Sequence, residues 1–359
     1  MKIKLSKSCF IIAEAGVNHN GDIELAEKLI KAAVRAGADA VKFQTFKAEQ
    51  LATKKSPTAS YQKDNVGEDN QWKLLRPLEL SEKAYPRLVE ICKKNKIMFM
   101  STPHGHIDSA DFLKSMISMW KVGSGDLTNL PFLEYLGKTK KPIILSTGMA
   151  TIKEIKKAVE IIENTGNKKI IILQCTTNYP CPPEEASVKA MIDIKNNFPD
   201  YAVGYSDHTV GIDASILATA LGATVIEKHF TLDRNLPGPD QKNSLEPDEL
   251  KEMVREIRKI EKMTAKEKRK RIEKIKNSEI LLGSGKKMPF KNELIIAEMT
   301  RKSVISADAI NKGNIITKKM LTIKRPAKGG LHPREYWNIL GKKAKKDIKV
   351  DTQLKKDDF

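Results

Sequence analysis

The sequence predicts a (β/α)8 barrel followed by a small C-terminal domain. Three observations predict it. Eight short β-rich runs alternate with amphipathic helical stretches over roughly 260 residues, the length and count of such a barrel. Most of the runs are apolar enough to be buried on both faces, as parallel strands are. Each run also ends in polar residues that a plain turn does not require. A doubly wound open sheet is the alternative that the same alternation allows.

The first run, CFIIAEAG, ends at Glu14, and the stretch GDIELAEKLIKAAVRAGA behind it spaces apolar residues three and four apart, as a helix does. DAVKFQTF carries Lys42 and Gln44, IMFMSTP carries Thr102, and WKVGSGD carries Lys121 and Ser124. PIILSTG closes on Ser146 and leads into TIKEIKKAVEIIENTG, again of helical period. IIILQCTTNYP ends at Tyr179, AVGYSDHT at Ser206 and His208, and TVIEKHFT at His229. In a barrel these ends converge on one mouth, where such enzymes work. The barrel is expected to fill residues 1–262. A basic linker over 263–299 contains the dense run KMTAKEKRKRIEKIK, and a loop-rich unit with Gly and Pro turns fills 300–359. That last unit is near the lower size for independent stability.

Forty per cent apolar residues in a chain of 359 suffice for a large core, and no stretch nears the ~18 apolar residues that span a membrane. Basic residues precede an apolar run at the N-terminus, but Glu14 interrupts it after Cys9–Ala13, short of the ~7–15 residues of a secretory segment. A cytoplasmic protein follows. Its four cysteines lack zinc-ribbon spacing and are expected to stay reduced. A net charge of +19 invites a nucleic-acid reading. The lysines are spread throughout, and no aromatic residue interleaves with the one dense run, so no stacking platform exists and a solvated helix is the better reading.

His208 and His229 end neighbouring strands, and two imidazoles can hold a divalent metal with positions left open for substrate oxygen; each could equally hydrogen-bond within the rim. Lys42 and Lys121 end largely apolar strands, where an unpaired ammonium is costly. An anionic ligand relieves that cost, and so does a salt bridge to Glu14 or Asp126. The glycines of GSGD and STGM permit close backbone approach to a ligand. Glu14 can be tuned to move a proton, with Glu227 as an orienting neighbour. His19 reads as structural, and His104, His106 and His332 carry no metal signal.

The stretches IIAEAGVNHNGD, AGADAVKFQT, FMSTP, KVGSGDLTNLPFL, PIILSTGMAT, QCTTNYPCPPEEA, GYSDHTVG and EKHFTLDRNLPGPDQKNSL together resemble the N-acetylneuraminate (sialic acid) synthase family, which includes legionaminic and pseudaminic acid synthases. TIKRPAKGG with GKKAKKDI looks like that family's antifreeze-like (SAF) domain. The resemblance implies condensation of phosphoenolpyruvate with an N-acetylated amino-sugar aldehyde and water, giving a nine-carbon 2-keto acid and phosphate. The acceptor is N-acetylmannosamine or a related 2,4-diacetamido sugar. It implies a divalent metal on His208 and His229, manganese first, with magnesium and cobalt as alternatives. Glu14 becomes the catalytic acid/base. Phosphoenolpyruvate contacts fall on Lys42, Thr102, Lys121, Ser124, Ser146, Thr177 and Ser206, with Asn178 competing for the role of Thr177. Sugar contacts fall on Gln44, Asp126, Tyr179, Asp240 and Arg325, and the segment from Lys54 to Gln71 is expected to help select the sugar. In the family the small domain caps a partner's barrel, so the resemblance implies a domain-exchanged homodimer. Two rivals are a barrel synthase acting on a sugar phosphate, against which the C-terminal domain argues, and a carbohydrate- or ice-binding protein, against which the polar strand ends argue.

Overall fold

A computed structural model of the chain describes residues 8–359, so the basic residues of the N-terminal stretch, within 1–7, lie outside the described residues. The eight runs form strands: β1 (Phe10–Gly16), β2 (Ala40–Thr45), β3 (Met98–Pro103), β4 (Trp120–Val122), β5 (Ile143–Ser146), β6 (Ile170–Cys175), β7 (Ala202–Asp207) and β8 (Val225–His229). They join in one sheet of order β3-β2-β1-β8-β7-β6-β5-β4, every pairing parallel, and β3 lies against β4 to complete the ring. This is the expected barrel.

Strand parity explains where the chemistry sits. Successive side chains point to opposite faces of a strand. Ile12, Ala40, Met100, Met119, Ile144, Ile171, Leu173 and Val225 cluster inside the barrel. Two residues further on, six of the strands place a polar group on the same face: Glu14, Lys42, Thr102, Lys121, Ser146 and Glu227. Gly204 shares this parity on β7, and a Cβ there would lie 2.4 Å from Val225 O, so the packed interior admits only glycine. The opposite parity, including Ile11, Ala13, Val41, Phe43 and Ile226, packs in one large core that also takes buried residues of the surrounding helices.

The helices show ordinary local causes. Helix Ile23–Ala36 starts at Asp22, whose carboxylate accepts from Glu24 N and Leu25 N, and stops at Gly37 with φ 82°. Helix Ile152–Glu163 opens with a Thr151/Glu154 capping box. Helix Pro247–Glu261 buries Leu250, Met253, Val254, Ile257 and Ile260 in the barrel's outer layer.

Residues 263–299 are more than a linker. Helix Ala265–Glu273 buries nothing, as a solvated helix should. Helix Ser278–Leu282, by contrast, sends Leu281 and Leu282 into the barrel core. Helix Lys291–Thr300 packs Ile296 and Ala297 on Met149 at the mouth. The small C-terminal unit contains an antiparallel pair, β9 (Ser303–Ser306) and β10 (Leu321–Lys324), around a core of Val304, Ile316, Leu321, Ile323, Leu331, Ile339 and Leu354. In this single chain it lies on the chain's own barrel: Arg325 N donates to Leu51 O at 2.9 Å, and Thr53 N to Arg325 O at 3.0 Å.

Candidate active site

The mouth gathers most of the expected residues in one cavity. Glu14, Lys42, Gln44, Thr102, Lys121, Ser124, Ser146, Thr177, Tyr179, Ser206, His208, His229, Asp240 and Arg325 all line it. At its floor four charges interlock. Lys42 Nζ lies 2.7 Å from Glu14 Oε2 and 3.6 Å from Glu227 Oε2, and Lys121 Nζ lies 3.2 Å from Glu227 Oε1. The register produces this, because Glu14 is the direct partner of Lys42 on one side and of His229 on the other. Lys42 also donates to Thr102 Oγ1 at 3.2 Å, Lys121 to Ser146 Oγ at 2.8 Å, and Ser206 Oγ to Glu227 Oε1 at 3.1 Å. Both lysines thus have carboxylate partners, but Lys121 takes Glu227 rather than Glu14 or Asp126.

The two carboxyls are tuned apart. Burial, only partly offset by Lys42, pushes Glu14 up to about 7. Burial acts the same way on Glu227, but Lys121 and Lys42 outweigh it and hold that group at about 2. One site therefore carries a permanent carboxylate and a neighbour poised to exchange a proton near neutrality, the division of labour that acid/base chemistry uses. Burial lowers Lys121, while for Lys42 the opposing burial is overcome by Glu14 and Glu227, so its ammonium is held up.

The loops after β4, β5 and β6 add donors beside the lysines. Gly148 N donates to Ser124 Oγ at 2.9 Å, and a Cβ on Gly148 would lie 2.0 Å from Thr177 Oγ1, so glycine is required there. Thr177 Oγ1 is buried without a partner. Asn178 instead turns away, donating to Glu185 Oε2 at 3.0 Å and accepting from Tyr179 N at 3.1 Å. Thr177 is therefore the side chain that the site presents.

His208 and His229 stand with ring centroids 5.6 Å apart. His208 Nδ1 lies 2.7 Å from Thr176 O, a bond in which this nitrogen donates, so Nε2 carries the lone pair when the ring is neutral; burial opposes the charged form, but Cys175 and Thr176 O outweigh it and push this imidazole up. His229 Nδ1 is buried without a partner, and burial pushes this imidazole well below its ordinary range, into the neutral form a metal needs. This donor pair fits a divalent metal. Among the described residues no group of three or more His, Cys, Asp or Glu side chains could hold one, so the pair would leave further positions to water or substrate.

Toward the opening, Tyr179 stacks on Tyr61 at 4.9 Å and lies 4.1 Å from the His208 ring. Burial pushes Asp240 up to about 6. Val17, Leu51, Leu74, Leu75 and Leu78 form an apolar flank of the same cavity. Arg325 enters from the small domain, its Nε buried and unpartnered.

Asp126 corrects the sequence reading. It does not line the cavity. Its carboxylate is 2.9 Å from Lys302 Nζ and accepts from Asn129 Nδ2 at 2.9 Å, with both members of the ion pair 1–2% exposed. The aspartate is spent on docking the small domain, because the strand-four turn directs it sideways to Lys302. Sequence reasoning also missed Lys302, one lysine among many, and Glu293, whose position near a helix start reads as an ordinary cap. Tyr61 belongs to the segment flagged for sugar selection but was not singled out. Glu227 was rated a neighbour, although it bridges both lysines.

The chain is similar to known proteins along almost its whole length. N,N'-diacetyllegionaminic acid synthase of Campylobacter jejuni is 44% identical over 353 residues, 97% of this chain and 99% of that protein. Human N-acetylneuraminate-9-phosphate synthase is 34% identical over 347 residues, covering 96% and 91%. The crystal structure of spore coat polysaccharide biosynthesis protein SpsE from Bacillus subtilis superimposes with a TM-score of 0.81 at 35% identity, covering 98% of this chain and 95% of that one. Residues 301–359 match the SAF domain. Residues 29–269 match the NeuB family, and with relatives this similar along almost the whole length, the chain belongs to that family.

Proposed function

We propose that this enzyme condenses phosphoenolpyruvate with an N-acetylated amino-sugar aldehyde and water, giving a nine-carbon 2-keto acid and phosphate. The observation that carries the reading is the buried quartet of Lys42, Glu14, Glu227 and Lys121 set beside two imidazoles at one barrel mouth. Lys42 and Lys121, with Thr102, Ser124, Ser146, Thr177 and Ser206, receive the phosphate and carboxylate of phosphoenolpyruvate, since charge-assisted donors bind such groups best. Carbon 3 of phosphoenolpyruvate bonds to the aldehyde carbon, water adds at carbon 2, and the carbon 2 to phosphate-oxygen bond breaks. Glu14 takes one proton from the water and passes it to the oxygen of the former aldehyde, the second water proton leaves with the phosphate, and the salt bridge to Lys42 holds the Glu14 carboxylate in place. A divalent metal on His208 and His229, manganese in our reading, supplies Lewis-acid polarisation of the aldehyde when bound.

Gln44, Tyr179, Asp240 and Arg325 orient the sugar. The apolar flank of Leu51, Leu74, Leu75 and Leu78, closed by stacked Tyr61 and Tyr179, suits methyl-bearing substituents better than free hydroxyls. That favours a 2,4-diacetamido sugar over N-acetylmannosamine, in line with the name of the Campylobacter relative. The test is phosphate release from phosphoenolpyruvate with a panel of N-acetylmannosamine, a 2,4-diacetamido sugar and arabinose 5-phosphate, with product masses. Turnover confined to arabinose 5-phosphate would defeat the proposal.

A homodimer with exchanged small domains is part of this proposal. Gly283 and Gly285, both at positive φ, separate the helix packed on the barrel from the helix packed on the mouth. Met288, Leu294 and Ile295 beside this crossing are exposed and apolar, as an interface would leave them in one chain. Mixing Arg325→Ala with His229→Ala chains should then restore up to about a quarter of the activity, and no recovery would leave the cap in cis. The cytoplasm is the proposed location. Four unpaired cysteines suit a reducing compartment, and no described helix is long and apolar enough to cross a membrane.

A further inference from the structure

Glu293 stands outside the ring of strand ends, yet it is wholly buried. It enters the barrel mouth from helix Lys291–Thr300. Its Oε1 accepts from Met149 N and from Thr177 N, each at 2.7 Å, and its Oε2 accepts from Phe290 N at 3.0 Å. Only the last of these bonds is a helix cap. The other oxygen is spent on two barrel loops, those following β5 and β6. These loops carry Gly148 and the unpartnered Thr177 hydroxyl, and both Met149 and Thr177 line the cavity.

The surroundings argue for a built anchor. Met149, Ile296 and Ala297 seal the contact with apolar surface. Lys287 Nζ, from the same segment, donates to Cys175 O at 3.2 Å and so holds the end of β6. A buried N–H without an acceptor is costly, so two such donors tied to one carboxylate oxygen fix the relative position of both loops. Donors held rigid before a ligand arrives bind a developing or resident anion at no reorganisation cost.

We infer that Glu293 is a positioning residue for phosphoenolpyruvate, setting the strand-five and strand-six loops against which its charged end is held. The inference rests on the reading of this mouth as the phosphoenolpyruvate site. It makes anion binding depend on the stretch between barrel and small domain, apart from any contact that Arg325 makes to the sugar.

Steady-state kinetics on the full-length, metal-loaded enzyme test it. Glu293→Ala should raise KM for phosphoenolpyruvate about tenfold or more, the usual loss for hydrogen bonds to a charged group, and leave KM for the sugar within about twofold. Glu293→Gln keeps the volume and an acceptor oxygen and should lie between parent and alanine variant. It also gives the answer should the alanine variant fail to fold. Lys291→Ala, exposed at the start of the same helix, should match the parent. An unchanged KM for phosphoenolpyruvate in folded variants, or equal rises for both substrates, would overturn the inference while the site reading stands. A parent chain that never turns over phosphoenolpyruvate would overturn both.

Discussion

Glu14 and Glu227 are the same residue type a few ångströms from the same ammonium group, yet one is pushed to about 7 and the other held at about 2. The difference comes from the number of cations each faces. Glu227 is shared by Lys42 and Lys121, whereas Glu14 has only Lys42 at bonding distance and is pushed up by burial and by the Glu227 charge. Glu14→Gln, nearly isosteric, should therefore stay folded and lose turnover by at least about a hundredfold, as expected for a lost acid/base group; near-parental kcat would remove Glu14 from the chemistry. Lys42→Ala and Lys121→Ala should cost about 10- to 100-fold in kcat/KM for phosphoenolpyruvate, read in initial rates at saturating sugar. Most of these side chains were legible in the sequence because a strand end is a short, regular object whose period-two pattern survives without coordinates. Asp126 was not. Its letter sits in the right motif, and only the packing of Lys302 against it decides that it docks a domain instead of meeting a sugar. Glu293 was invisible for a similar reason, since its partners are backbone amides more than a hundred residues away.

At the scale of elements, the barrel's eight strands were readable from alternation and apolarity, and the structure keeps every one of them. The stretch between the two domains was misjudged. Its charge describes helix Ala265–Glu273 well, but a few apolar residues, Leu281, Leu282, Ile296 and Ala297, are enough to pin the two following helices to the barrel. The Asp126–Lys302 pair is the polar counterpart of that packing. Burial opposes ionisation of Asp126, but Lys302, His104 and Asn129 outweigh it and hold the carboxyl well below its ordinary 3.8. Lys302 is itself lowered by its burial despite the pairing. Because the folded Asp126 binds its proton more weakly than the unfolded one, its contribution to stability is full above about pH 4 and is lost as pH falls through the folded value. Lys302→Ala leaves a buried carboxylate without its cation and should destabilise the chain by on the order of 3 kcal/mol, measured by urea unfolding at neutral pH. The gap between parent and variant should narrow in acid. A variant as stable as the parent would mean that the pair is incidental to docking.

The whole molecule is a barrel whose mouth is finished by residues far along the chain: Lys287 and Glu293 behind the loops, Lys302 at the hinge of the small domain, and Arg325 over the opening. A chain ended near Ser284, after the helix that seats Leu281 and Leu282 in the barrel core, should consequently keep a folded barrel and lose sugar-dependent phosphate release, whereas full activity from it would make everything beyond that helix dispensable. The central claim is that one cavity holds a dianionic three-carbon acid between two ammonium groups, next to a divalent cation on two imidazoles. A crystal structure of the enzyme grown with phosphoenolpyruvate and Mn²⁺ tests it most directly. The account predicts the acid bonded to Lys42 and Lys121 and an anomalous manganese peak within ligand distance of His208 and His229. Manganese bound elsewhere, or the acid lodged away from both lysines, would contradict it.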